Sequence, residues 1–159
     1  MTKKEEAALK RAEKLAKEQQ RIEGMCIYEK EHSNFNYICG IDEVGRGPLA
    51  GPVVACAVVL PKDARILYVN DSKKLSEKKR NELYDIITKT AVSYGIGVVD
   101  RNIIDEINIL QATYEAMRQA INNLTIKPDI LLNDAVTIPE VDIPQVPIIK
   151  GDAKSLTIA

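Results

Sequence analysis

Four acidic residues of this chain follow short apolar runs. Tyr37-Ile-Cys-Gly-Ile41 leads into Asp42 and Glu43, Ile130-Leu-Leu132 leads through Asn133 to Asp134, and Ile148-Ile149 is followed within three residues by Asp152. Runs of this kind read as buried strands, and in an open α/β sheet binding sites lie beyond the strand ends. Carboxylates that converge there repel one another unless a cation lies between them. An all-oxygen donor set suits a hard dication, Mg²⁺ or Mn²⁺, whereas zinc would call for His or Cys. Two such ions about 3.5–4 Å apart can activate a water and stabilise the leaving oxygen of an in-line displacement. Taken singly, each acid has a competing reading as an N-cap or turn carboxylate. Their joint placement at strand ends is what points to a site.

Gly45-Arg46-Gly47 sits directly beside the first acids. Glycine lets backbone approach a ligand closely, and its N–H groups suit phosphate or sugar hydroxyls. Arg46 adds a planar multi-donor group. No Gly-Lys-Ser/Thr follows, so this is not a Walker loop; a simple tight turn is the alternative. Lys73, Lys74, Lys78, Lys79 and Arg80 form a dense basic cluster, suited to phosphate contacts or equally to a solvated helix start.

The elements that must position these residues are legible in outline. Residues 2–23 mix charges of both signs around a narrow apolar stripe (Ala7, Leu9, Ala12, Leu15, Ala16), which reads as a solvated helix. A strand over 37–41 runs into a Gly/Pro-rich turn or loop reaching Pro52, and Val53–Leu60 is the strongest strand signal. Ser76 is a fair N-cap for a helix reaching about Ala91. A strand is expected over Tyr94–Val99, a helix-rich stretch over about 101–123, and short strands at Ile130–Asp134 and Val146–Lys150. The order is helix, β, β, helix, β, helix, β, β, with the first two strands able to form a hairpin. That is a mixed α/β sheet in one domain.

Composition narrows the function class without choosing it. The chain has 159 residues, a net charge of −1, 45% hydrophobic and 28% charged residues, the profile of one ordinary globular domain. It is not a wholesale basic nucleic-acid binder, so any such surface must be a local patch. Cys26, Cys39 and Cys56 match no zinc or redox spacing. With no secretory signal they suggest a reducing cytoplasm. His32, the single histidine, reads as an exposed loop residue, which leaves histidine-based chemistry poorly supported. No apolar run approaches a membrane span.

Gly40-Ile-Asp-Glu-Val-Gly-Arg-Gly-Pro-Leu-Ala-Gly-Pro-Val-Val54 resembles the opening signature of the ribonuclease HII family. Asp71-Ser-Lys-Lys-Leu75 resembles the family's next motif, Leu131-Leu-Asn-Asp134 the strand carrying its third acid, and Lys150-Gly-Asp152 the segment carrying its fourth. The resemblance covers residues 37–159 and leaves 1–36 as an N-terminal helical extension. It implies a ribonuclease H-like fold, with a mixed β-sheet flanked by helices. It implies that Asp42, Glu43, Asp134 and Asp152 are metal ligands and catalytic, with Mn²⁺ or Mg²⁺ as cofactor. Gly45, Arg46 and Gly47 would hold the ribonucleotide, reading its 2′-hydroxyl largely by backbone contacts, and Lys73 and Lys74 would contact phosphate.

The implied reaction is hydrolysis on the 5′ side of a ribonucleotide, leaving 3′-hydroxyl and 5′-phosphate ends. Its substrates would be RNA–DNA hybrids and DNA duplexes with embedded ribonucleotides, cut by a monomer. Two alternatives stand beside it: another ribonuclease H-like nuclease, and an inactive truncated fragment that binds nucleic acid. The Gly-Arg-Gly triplet separates the chain from the sister ribonuclease HIII family. Two departures are visible. Asn133-Asp134-Ala135 stands where the family has Val/Ile-Asp-Gly. The family also continues past Ala159 into further helices, one with a tyrosine that stacks on the nucleotide, and no tyrosine here follows Tyr114.

Overall fold

The computed structural model describes residues 1–45 and 51–159. Arg46 and Gly47, to which the sequence assigns ribonucleotide contacts, lie outside the described residues. The elements are α1 (Lys3–Gly24), α2 (Ile27–Glu31), β1 (Ile38–Val44), β2 (Val53–Val59), a 3₁₀ turn (Ser72–Lys74), α3 (Glu77–Thr90), β3 (Ser93–Val99), α4 (Arg101–Asn122), β4 (Ile130–Asp134), β5 (Gln145–Ile148) and α5 (Gly151–Lys154).

The strands form one five-stranded sheet in the order β3-β2-β1-β4-β5. β1 pairs antiparallel with β2, and β2 with β3; β1 and β4, and β4 and β5, run parallel. The expected hairpin and mixed sheet are therefore present. Strand alternation decides which side chains meet the core. On one face Cys39, Ile41, Val53, Ala55, Ala57, Val59, Val99 and Leu131 pack with Ala112, Ala116, Met117 and Ala120 of α4. On the other face Ile38, Ile130, Leu132 and Ile148 pack with Ile158, flanked by Tyr28 and Phe35. A third cluster ties Ile22, Met25 and Cys26 to Ile66, Val69, Leu83 and Leu156.

Several sequence readings change in detail. β1 continues through Val44, so Asp42 and Glu43 are strand residues and not loop residues. The ladder to β2, from Cys39↔Val59 to Val44↔Val54, holds that extension. The helix over 101–122 is broken at Asn108 (φ 71°), whose Oδ1 accepts the Gln111 N–H and so caps a second helical half. His32 is half-buried at the end of α2, with Nδ1 2.7 Å from the Tyr28 carbonyl oxygen. Expectation and structure agree at α3, whose N-cap Ser76 accepts from Lys79 N–H at 3.2 Å. They agree also at α1, which opens with a Thr2–Glu5 capping box and is exposed over residues 1–17.

Candidate metal centre

The site is assembled where the parallel ladder between β1 and β4 stops, while β1 runs on against β2 to Val44. β1 and β4 are in register up to Ile41↔Asn133, so Asp42 and Asp134 come one residue later on adjacent strands. Both follow the alternation of the face that carries Ile38 and Ile130. Asp152 reaches the same place from the first turn of α5. One carboxylate oxygen from each of Asp42, Asp134 and Asp152 lies within 4.8 Å of the other two.

Backbone donors aim these acids. Asp42 Oδ1 accepts the Glu43 N–H at 2.8 Å, and Asp134 Oδ1 accepts the Gly151 N–H at 2.9 Å. The second bond ties β4 to the start of α5. The chain reaches α5 through Lys150 in the left-handed region (φ 56°).

The electrostatics are those of like charges held close together and partly out of water. Burial pushes the Asp42 carboxyl up to about 8; the Glu43 N–H opposes this, and the charges of Asp134, Glu43 and Asp152 add to it. Asp152 is also pushed above the ordinary carboxylate range, first by burial and then by Asp134 and Asp71, against the Ala153 N–H and Lys73. A hard dication offered three oxygen donors at this spacing removes the repulsion. The donor set and its electrostatics therefore fit Mg²⁺ or Mn²⁺, and there is no His ligand to favour zinc.

The other candidate residues fall around this cluster. Glu43 borders the same cavity, of about 270 Å³, with Asp42, Asp71, Ser72 and Asp152. Gly45 closes β1 with φ +96°, and a Cβ there would meet the Pro52 carbonyl oxygen at 2.3 Å, so the turn as built needs glycine. Lys73 is exposed but near enough to act on Asp152. Lys74 instead lines a separate groove with Arg21, Tyr28 and Lys154.

Two neighbours named in the sequence, Asp71 and Cys56, had been given no role at the site. Asp71 caps the 3₁₀ turn, its side chain accepting the Lys73 N–H at 3.1 Å, and its charge reaches Asp152. Cys56 is the cross-strand partner of Asp42. Its thiol is pushed up to about 11, mainly by burial and then by Asp42, so it stays protonated. Asp71 was within reach of sequence reading, because Asp followed by Ser-Lys-Lys is a cap signal. Cys56 was not, because only the strand register reveals it.

Comparison with known proteins agrees with this architecture. A family model described as Ribonuclease HII matches residues 39–159. Ribonuclease HII of Lachnoclostridium phytofermentans is 66% identical over 149 residues, covering 94% of this chain and 59% of that protein. Ribonuclease HII of Clostridioides difficile is 57% identical over 152 residues, covering 94% of this chain and 60% of that protein. The crystal structure of the ribonuclease H2 from Pyrococcus horikoshii OT3 superposes with a TM-score of 0.64 at 27% identity, over 77% of this chain and 66% of that one. The chain thus spans about 60% of the length of the curated relatives it matches. Sheet order, the matched segment and identity sustained over nearly the whole chain lead to one assignment: the chain belongs to the ribonuclease HII family.

Proposed function

We propose that this chain serves a ribonuclease HII reaction: metal-dependent hydrolysis of the phosphodiester 5′ to a ribonucleotide, in RNA–DNA hybrids and in DNA duplexes with embedded ribonucleotides. The observation that carries the reading is the convergence of Asp42, Asp134 and Asp152, from β1, β4 and α5, within 4.8 Å of one another. Residues 37–159 form the catalytic domain in this reading, 1–36 are an N-terminal extension, and the protein works as a cytoplasmic monomer. Among the described residues no helix is long and apolar enough to cross a membrane.

Asp42, Asp134 and Asp152 would hold Mn²⁺ or Mg²⁺, with Glu43 at the cavity rim as the fourth acid. When bound, such ions supply Lewis-acid stabilisation of charge on phosphate oxygens and lower the pKa of a bound water. The chain's own part is positioning. The Gly151 and Glu43 N–H groups fix two carboxylates and still leave oxygen lone pairs free to act as ligands. Gly45, together with Arg46 and Gly47, would present backbone donors to the 2′-hydroxyl that distinguishes RNA from DNA. Lys73 would meet a phosphate beside Asp152, and Lys74, in its separate groove, one farther along the duplex.

The test is cleavage of duplex DNA containing one ribonucleotide, with Mn²⁺ or Mg²⁺ and with chelator. The expected result is metal-dependent cutting 5′ to the ribonucleotide, reduced at least about 100-fold in Asp42→Asn. Equal cutting of an all-DNA duplex would instead indicate a different ribonuclease H-like nuclease. The alternative reading is a chain that binds nucleic acid without turnover. Metal-independent binding of the duplex by a folded chain, with no cutting, would support it.

A further inference from the structure

The segment after Asp152 is fastened to the N-terminal helices by one carboxylate. Glu29 of α2 accepts on Oε1 from Ser155 Oγ (2.5 Å), Thr157 Oγ1 (2.7 Å) and the Thr157 N–H (3.2 Å). Beside it the Leu156 N–H donates to the Met25 carbonyl at 2.9 Å. Ser155 and Thr157 are 0% and 8% exposed and Glu29 is half-buried, so these bonds are largely sheltered from water. Glu29 Oε2 is buried and has no hydrogen-bond partner among the described residues. Desolvating a carboxylate oxygen without a partner is costly, which argues that the bonds made by Oε1 are the reason for the group.

The same segment touches both strands of the metal centre. A Cβ at Gly40, two residues before Asp42, would lie 2.1 Å from the Thr157 carbonyl oxygen, so the segment runs directly across β1. At its start the Gly151 N–H is bound to Asp134. Between these anchors α5 is a single turn, too short to hold its own geometry. Its last bond, Ser155 N–H to the Gly151 carbonyl at 2.8 Å, passes the position of Ser155 directly to the turn that carries Asp152.

We infer that Glu29 is a positioning residue for the metal centre. By clamping Ser155 and Thr157 it fixes where Asp152 stands relative to Asp42 and Asp134. The N-terminal extension thereby sets cation affinity from outside the cluster. This rests on the reading that the three acids hold a divalent cation.

The test is Mn²⁺ affinity of the 159-residue chain, followed by the electron paramagnetic resonance of free Mn²⁺, with amide exchange of the metal-free protein measured alongside. Outer groups that orient metal ligands are worth about 10–100-fold in affinity. Glu29→Ala is expected to weaken Mn²⁺ by that factor and to speed exchange at Leu156 and Thr157. Glu29→Gln, which keeps an acceptor oxygen, is expected to recover most of it. Glu23→Gln is the control: Glu23 of α1 binds Lys30 of α2 and Arg65 of the segment after β2 and is not among the hydrogen-bond partners of Ser155 or Thr157, so affinity should not change. A folded Glu29→Ala with wild-type affinity overturns the inference, and so does an equal loss in Glu23→Gln. Should Glu29→Ala not fold, Ser155→Ala with Thr157→Val makes the same test: affinity must fall, and adding Glu29→Gln must lower it no further. A wild-type chain that binds no Mn²⁺ sinks the proposed function and this inference together, whereas binding that ignores Glu29 sinks this inference alone.

Discussion

At the scale of single residues, the clustered acids cost stability. The Asp42 carboxyl stands at about 8 in the folded chain against an ordinary value of 3.8. Between these values the folded state holds a proton that the unfolded chain releases, so stability falls as pH rises from about 4 to about 8 and levels off above. In chelator, the thermal midpoint should therefore drop between pH 5 and pH 8, and Asp42→Asn should flatten that slope and raise the midpoint at pH 8. Millimolar Mn²⁺ should raise the midpoint more at pH 8 than at pH 5, because protons compete with the cation. A midpoint that rises with pH in chelator would contradict the burial of Asp42. Asp42, Asp134 and Asp152 were legible in sequence only jointly, because a lone carboxylate after an apolar run can equally be a cap or turn residue, whereas several in succession cannot all be. Glu29 was not, because its meaning lies in Ser155 and Thr157, 126 and 128 residues away.

At the scale of elements, two tight places hold the centre together. Ala135, directly after Asp134, has φ 63°, and its N–H is bound to the Ile148 carbonyl at 2.9 Å. A side chain in the left-handed region costs about 1–2 kcal/mol, partly offset by the lower unfolded-state entropy of alanine. Ala135→Gly should thus stabilise the chain by about 0.5–1 kcal/mol in urea unfolding. No gain would mean that this turn is not strained. Gly40→Ala should act in the opposite direction, costing about 1–3 kcal/mol or more, because the obstacle is the Thr157 backbone and cannot rotate away. The strands and helices themselves were readable from alternation and capping. The break at Asn108 and the single turn of α5 were not, because neither interrupts the hydrophobic period: one is local Asn capping and the other is held by tertiary bonds.

At the scale of the whole molecule, the N-terminal helical segment divides in two. Residues 1–17 are exposed, whereas Ile22, Met25 and Cys26 are buried against Ile66, Val69, Leu83 and Leu156. Deleting residues 1–16 should change unfolding free energy by less than about 0.5 kcal/mol. Deleting through residue 30 removes the buried Ile22 and Met25, worth about 1.5–3 kcal/mol each, with Cys26 and the Glu29 clamp, and should leave little folded protein. Equal tolerance of both deletions would show the extension to be an appendage. The charge pattern of α1 revealed a solvated helix correctly. That its last turn joins the core could not be read from it, because Ile22, Met25 and Cys26 find their partners only in the folded chain.

In the proposed reaction Asp42, Asp134 and Asp152 share a divalent cation. The most direct measurement is anomalous diffraction from a crystal of the chain grown with Mn²⁺. The expected result is a manganese peak with an oxygen of each of the three carboxylates at about 2.0–2.3 Å. A peak bound elsewhere on the chain, with the three acids still apart and unligated, would contradict it.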